Sequence, residues 1–166
     1  QEGDGRLYAI NPADGSVWAE VPDCGRAEAA AAIEAAHAAF PEWSALPFSK
    51  RAHFLEKAAH IFEKRKMEIV EALQAEGGGW FGKGMFETGY TVEVFHAAAA
   101  SVWQSTGEVL PSEYGKLSMA VRRPMGVVSI ISPWNFPCIL SSRGFAFPLA
   151  AGNTIVLKPS EETPAT

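Results

Sequence analysis

Short apolar segments open the chain, and long stretches with a helical spacing of apolar positions follow them. In residues 7–21 the apolar positions are interrupted by Asn11-Pro12 and by Asp14-Gly15. Because these residue pairs favour tight turns, the segment predicts two short strands that form a β-hairpin.

Three helices are predicted after the hairpin. The first covers the alanine-rich residues 26–40 and is expected to end at Pro41, because proline lacks the N–H that a helix interior requires. The second covers residues 50–76 and ends at a run of glycines, and the third covers residues 87–104. The apolar positions that predict the buried face of the second helix are Leu55, Ala58, Phe62, Ile69 and Leu73.

The pattern changes in the last third of the chain. Residues 116–132 alternate at first, which predicts a half-exposed strand, and become continuously apolar at 127–131, which predicts a strand buried on both faces. Residues 138–152 are compatible with a helix, and residues 154–157 form another apolar run. Strand, helix and strand in this order predict a βαβ unit with parallel neighbouring strands, and therefore an α/β fold class.

Composition and charge exclude several classes of protein. The 166 residues are 48% hydrophobic and 20% charged, which is typical of a globular chain rather than a disordered one. The net charge of -5 gives no basic surface for a nucleic acid. No apolar run is long enough for a bilayer, and the N-terminus does not resemble a signal peptide. The two cysteines imply neither a disulfide framework nor a metal site, so a soluble, cytoplasmic protein without metal is expected.

Two apparent motifs have simpler interpretations. The glycine-rich residues 77–84, "GGGWFGKG", approach both a dinucleotide fingerprint and a phosphate loop, but each of these requires a preceding strand, and here a helix is predicted instead. The position after Lys83 is also glycine rather than the Ser or Thr that would hold Mg²⁺. Cys138 lies near a predicted helix start, which lowers a thiol pKa, yet its apolar neighbours favour a packing role.

Polar side chains follow both predicted parallel strands. Asn135 lies between Pro133 and Pro137 in the loop after the first strand, and Lys158 and Glu161 follow the second. Ligands bind at the carboxyl ends of such strands, where a lysine and a glutamate suit the hydroxyls of a ribose, and a glutamate disfavours a 2′-phosphate. A fixed Asn135 amide suits a developing oxyanion. It equally suits a cap on the next helix or a tie within the turn, and the two interpretations remain open from the residues alone.

The segment from residue 126 to 164, "GVVSIISPWNFPCILSSRGFAFPLAAGNTIVLKPSEETP", closely resembles the aldehyde dehydrogenase superfamily. In that family a P-W-N-[FY]-P loop is followed by an A-x-G-N-x-[VI]-[VI]-x-K-P-[SA]-E-x-T-P segment. The rest of the chain is more loosely similar to the N-terminal part of the family, and "GWFGKGMFETGY" is most similar to members that oxidise aromatic aldehydes such as benzaldehyde or vanillin. The resemblance implies a fold with a β-hairpin, three helices, an oligomerisation strand and the first βαβ unit of a Rossmann-like sheet.

The resemblance also implies roles for individual residues. Asn135 is the side-chain donor of the oxyanion hole, and Lys158 and Glu161 hold the adenosine ribose of NAD, with NADP less favoured. The residues that line the cofactor cleft are Ile131, Ser132, Pro133 and Trp134, and those that face the substrate are Phe136 and Leu140. Arg143 stands where many relatives carry an apolar or aromatic residue, so the resemblance assigns it no role.

The resemblance further implies what this chain does not contain. Residues 1–166 correspond to the N-terminal portion of the NAD-binding domain, with an oligomerisation strand at about residues 116–124 and a homo-oligomer as the expected assembly. The catalytic cysteine, the general-base glutamate and the catalytic domain are expected beyond Thr166, so we expect a fragment of an NAD-dependent aldehyde dehydrogenase that is inactive alone. The alternative is a truncated, non-catalytic module for nucleotide binding or oligomerisation.

Overall fold

The structure is a computed structural model that describes residues 5–166, so the first four residues of the predicted domain lie outside it. The strands are β1 (Arg6–Ile10), β2 (Val17–Pro22), β3 (Gly107–Leu110), β4 (Ser118–Val121), β5 (Val127–Ile131) and β6 (Thr154–Lys158). The helices are α1 (Arg26–Ala45), α2 (Phe48–Lys64), α3 (Lys66–Gly77), α4 (Phe81–Ser101) and α5 (Pro137–Ala150). No helix within residues 5–166 is long and apolar enough to cross a membrane.

The strands form three separate pairs, and this confirms the predicted hairpin and the predicted βαβ unit. β1 and β2 are antiparallel, β3 and β4 are antiparallel, and β5 and β6 are parallel with α5 as their crossover. Of the pair β3–β4, the sequence predicted a strand in the region of β4 but missed β3. The four residues of β3 are too few to show a period.

Small side chains allow the helices to pack closely around one hydrophobic core. Its buried members are Ala52, Leu55, Ala59, Val94, Phe95, Ala98, Ala99, Ala146 and Ala150, contributed by α2, α4 and α5. Alanine lets two helix backbones approach, while Leu55 and Phe95 fill the remaining volume. This core fixes α5, and with it the loop that precedes α5.

The predicted helix boundaries were wrong at several points. α1 continues through Pro41 to Ala45, because its last turn is anchored elsewhere: the indole N–H of Trp43 donates to the carbonyl oxygen of Leu149 at 3.1 Å. The predicted helix 50–76 is divided at Arg65, whose ψ of 14° departs from the helical value. The apolar period continues across this break, so the sequence pattern does not reveal it.

The third predicted helix begins earlier than predicted, and α4 includes the second half of the glycine-rich stretch, residues 81–84. Gly78 ends α3 in the left-handed conformation with φ of 63°, and α4 starts three residues later. A Cβ at Gly84 would lie 3.0 Å from Cγ1 of Val70, so the absence of a side chain allows α4 to approach α3. Close packing therefore outweighs the low helix propensity of glycine here.

The prediction that β5 is buried on both faces was wrong. Among its residues only Ile130 is buried, and Ile131 is 78% exposed. In the described part of the chain the parallel sheet has two strands, so each of them has one open edge. Continuous apolar character is what a strand inside a wider parallel sheet carries.

Candidate functional site

The carboxyl ends of β5 and β6 lie side by side, as the sequence predicted. The parallel register pairs Val127 with Thr154 and Ile131 with Lys158. One further hydrogen bond, from the backbone N–H of Ser132 to the carbonyl oxygen of Lys158 at 2.9 Å, extends the pairing past the end of β5. The loop 132–136 and the segment 158–161 therefore leave the sheet at the same edge.

Lys158 and Glu161 form an ion pair at this edge. The Lys158 ammonium donates to Oε2 of Glu161 at 3.0 Å, and both side chains are exposed. The pKa of Glu161 is lowered by a hydrogen bond from its own backbone N–H and then by Lys158. The carboxylate therefore stays ionised near neutral pH, and it presents an acceptor beside a donor.

The loop between β5 and α5 has a buried base and an exposed tip. Ser132 is buried, and its hydroxyl oxygen lies 2.5 Å from that of Ser141 on α5. Pro133, Trp134 and Asn135 are exposed, with Trp134 at 59%. The serine pair holds the start of the loop against α5, while the next three side chains face outward.

The Asn135 side chain takes neither of the local roles that the sequence left open. Phe136 occupies the N-cap position of α5, and no side-chain cap bond is present there. Within residues 5–166 the Asn135 amide has no hydrogen-bond partner. An exposed amide held at the tip of a proline-bracketed loop keeps its donor N–H groups available to a ligand.

Cys138, one helical turn or less from that loop, lies in an environment that suppresses the thiolate. It is buried, and burial followed by the nearby negative charge of Glu87 raises the pKa of its thiol to about 12. The start of a helix by itself lowers a thiol pKa, but burial outweighs that effect here. The thiol is therefore neutral at physiological pH, as expected of a packing residue.

A lysine and a glutamate on α4 reach this region, and the sequence reasoning missed them. Glu87 is fully buried, accepts the backbone N–H of Cys138 at 2.9 Å, and binds the Lys83 ammonium at 2.9 Å. Lys83 also lies 4.6 Å from the ring centroid of Phe136. A signal was present in the sequence, since Glu87 occupies the same helical stripe as the apolar Val94 and Ala98.

The phosphate-loop interpretation of the glycine-rich residues 77–84 is excluded, because helix α3 rather than a strand precedes them.

Two of the predicted cofactor residues line one cavity. Trp134 and Glu161 border a space of about 480 Å³ together with Ile10 of β1 and Glu76 of α3. The predicted substrate residues Phe136 and Leu140 are partly buried and do not line this cavity. Arg143 is exposed. No group of three or more His, Cys, Asp or Glu side chains that could hold a metal ion occurs within the described residues.

Comparison with known proteins agrees with the predicted resemblance. The model of the aldehyde dehydrogenase family matches residues 1–166. A vanillin dehydrogenase from a Pseudomonas species is 44% identical over 159 residues, which cover 94% of this chain and 32% of that enzyme. The NAD⁺-dependent benzaldehyde dehydrogenase of Pseudomonas putida is 36% identical, covering 98% of this chain and 34% of the enzyme.

Solved structures give the same result. The NAD-dependent benzaldehyde dehydrogenase from Corynebacterium glutamicum superposes with a TM-score of 0.93 at 38% identity, over 98% of this chain and 36% of that one. The chain spans about a third of the length of the relatives that it matches. With a family model matched over its whole length and relatives of this similarity, the chain belongs to the aldehyde dehydrogenase family.

Proposed function

We propose that this chain is the N-terminal part of an NAD-dependent dehydrogenase that oxidises an aldehyde to a carboxylic acid. Aromatic aldehydes of the benzaldehyde and vanillin type are the first candidate substrates. Three kinds of support agree: the family, the names of the similar enzymes, and the short "GWFGKGMFETGY" stretch. The chain spans about a third of those enzymes. By its resemblance to the family, we assign the nucleophilic cysteine and the general-base glutamate to the part beyond residue 166.

The observation that carries this proposal is the position of the Asn135 amide. It is exposed, has no partner among the described residues, and lies at the sheet edge that also presents Lys158 and Glu161. Attack of a thiolate on an aldehyde places negative charge on the carbonyl oxygen. A donor that is already oriented stabilises that charge without reorganisation, and Pro133 and Pro137 restrict the backbone on both sides of Asn135.

The residues at the edge fit a dinucleotide. Lys158 and Glu161 offer a donor and an acceptor to the hydroxyls of the adenosine ribose, and the lowered pKa of Glu161 keeps a negative charge where a 2′-phosphate would lie. Ile131, Ser132, Pro133 and Trp134 would border the cleft on the side of β5. NAD, when bound, supplies the acceptor for the hydride. A negative Glu161 therefore favours NAD over NADP, although relatives of both kinds exist.

The proposal also assigns roles in substrate contact and in assembly to other parts of the chain. Phe136 and Leu140 face the substrate once the remainder of the enzyme covers α5. Residues 116–124, which include β4, serve oligomerisation, and the exposure of apolar side chains there supports this role: Met119 is 56% and Val121 54% exposed. A cytoplasmic homo-oligomer is the assembly that we propose.

A direct test uses the complete enzyme that contains this chain. Formation of the reduced cofactor is followed with benzaldehyde, vanillin and lactaldehyde, each with NAD⁺ and with NADP⁺. We expect kcat/KM to be highest for an aromatic aldehyde with NAD⁺. Lack of oxidation of every aldehyde with both cofactors would contradict the proposed activity, and a preference for NADP⁺ would contradict the role given to Glu161.

A further inference from the structure

Glu87 is the one carboxylate on α4 with no access to solvent, at 0% exposure. A buried carboxylate is destabilising unless both of its oxygens find partners. Here Oε2 binds the Lys83 ammonium, one helical turn earlier, and Oε1 accepts the backbone N–H of Cys138 on α5. Glu87 therefore joins two helices by a bond to the backbone of the second.

The bond to Cys138 replaces a cap that α5 does not have. The first N–H groups of a helix have no partner within the helix. At the start of α5, Phe136 gives no side-chain cap, Pro137 has no N–H, and the first turn contains no acidic residue. Cys138 carries the first N–H of α5 proper, and the carboxylate that satisfies it comes from another helix.

The same ion pair contacts the residue that follows Asn135. The Lys83 ammonium lies 4.6 Å from the ring centroid of Phe136, while Glu87 holds Cys138. α4 therefore restrains two of the three residues that follow Asn135. On the other side, the Ser132–Ser141 hydroxyl contact restrains the start of the loop.

We propose that Glu87 is a positioning residue, which caps α5 from α4 and thereby fixes the Asn135 amide where the reacting carbonyl oxygen will lie. This inference rests on the proposed oxyanion role of Asn135. Glu87 itself does not touch substrate or cofactor. Its effect on the reaction passes through the position of Asn135, so it should vanish when the Asn135 amide is removed.

A double-mutant cycle in the complete enzyme tests this directly. Glu87→Met keeps the approximate volume of the side chain and removes the acceptor, and we expect it to lower kcat about tenfold or more, with the KM for NAD⁺ within about twofold. Glu87→Gln retains an acceptor oxygen for the Cys138 N–H and should restore kcat to within about threefold of wild type. In the Asn135→Ala background, Glu87→Met should change kcat by less than about twofold.

Thr91→Val is the matched control. Thr91 is one turn further along α4, is equally buried, and its hydroxyl has no hydrogen-bond partner within residues 5–166. Valine is close to it in shape, so this variant changes a buried polar position of the same helix and keeps the Glu87 carboxylate that accepts the Cys138 N–H. We expect its kcat to equal that of the wild type.

The outcomes separate the two proposals. Suppose that Asn135→Ala is impaired and that Glu87→Met lowers kcat by the same factor in the wild-type and the Asn135→Ala backgrounds. That result overturns the positioning role of Glu87 and leaves the oxyanion role of Asn135 intact. The same holds if Glu87→Gln is as impaired as Glu87→Met. A wild-type kcat for Asn135→Ala overturns the proposed oxyanion role and the inference with it. If Glu87→Met does not fold, Glu87→Asp, which retains the charge but is one methylene shorter, enters the same cycle with the same expected coupling.

Discussion

Gly144 of α5 packs against Ile130 of β5 with no room for a side chain. A Cβ at this position would lie 2.7 Å from Cγ2 and 3.3 Å from Cγ1 of Ile130. Ile130 is buried and β-branched, so its side chain has little freedom to move away. Gly144→Ala must therefore displace α5 from the strand on which it packs.

The expected magnitude follows from two opposing effects. Overpacking of a filled core costs about 1–3 kcal/mol. Replacement of glycine by alanine inside a helix contributes about 0.5–1 kcal/mol in the opposite direction. We therefore expect Gly144→Ala to lower the free energy of unfolding by about 1 kcal/mol, which is the difference between the middle values of these two ranges.

Gly89→Ala is the matched control, because it is the same change in the interior of α4. A Cβ at Gly89 would have Lys66 Nζ as its nearest neighbour at 3.9 Å, which is an ordinary contact. This variant should raise the free energy of unfolding by about 0.5–1 kcal/mol. Urea unfolding followed by tryptophan fluorescence measures both changes. The packing argument would be refuted if Gly144→Ala were as stable as the wild type. It would also be refuted if Gly89→Ala were destabilised as much as Gly144→Ala.

Further predictions concern the cofactor and the buried thiol. In the complete enzyme, Glu161→Gln should reduce the ratio of kcat/KM with NAD⁺ to kcat/KM with NADP⁺. Lys158→Ala should raise the cofactor KM more than it lowers kcat. Unchanged cofactor kinetics in both variants would place these residues outside the cofactor site. A thiol reagent at pH 8 should label the exposed Cys24 and leave Cys138 unlabelled until the protein unfolds, so labelling of Cys138 at the same rate would contradict its burial. Because the pKa of Cys138 is raised to about 12 in the folded state, its contribution to stability is complete below about pH 9 and is lost as the pH rises from there towards 12. The difference in unfolding free energy between wild type and Cys138→Ala, measured across that range, should shrink with rising pH.

Much of the fold could be predicted because strong local signals agree with it. Turn-forming residue pairs defined the β1–β2 hairpin, and two apolar runs with a helix between them predicted the parallel pair β5–β6. Parallel pairing alone brings Ser132 to Lys158, since both leave their strands at the same end. The common edge of the candidate site therefore followed from topology rather than from side-chain detail.

The missed features depend on contacts between distant segments. The continuation of α1 beyond Pro41 rests on the bond from Trp43 to Leu149, which no local rule contains. The cap that Glu87 gives to α5 joins two helices that are far apart in sequence. In the sequence, Glu87 was visible only as the one charge on an otherwise uncharged stripe of α4. Its partner at the N-terminus of α5 could be found only in the packed structure.

The kinetics of two variants of the complete enzyme, Asn135→Ala and Cys138→Ser, test the central claim most directly. Loss of one oxyanion donor typically costs about 10²–10³ in kcat, and we expect that loss for Asn135→Ala, with the affinity for NADH unchanged. Cys138→Ser should retain most of its activity, because a thiol with a pKa raised to about 12 is neutral at the working pH. An active Asn135→Ala beside an inactive Cys138→Ser that still folds and binds NADH would contradict the account, since the thiol would then carry the chemistry that we assign elsewhere.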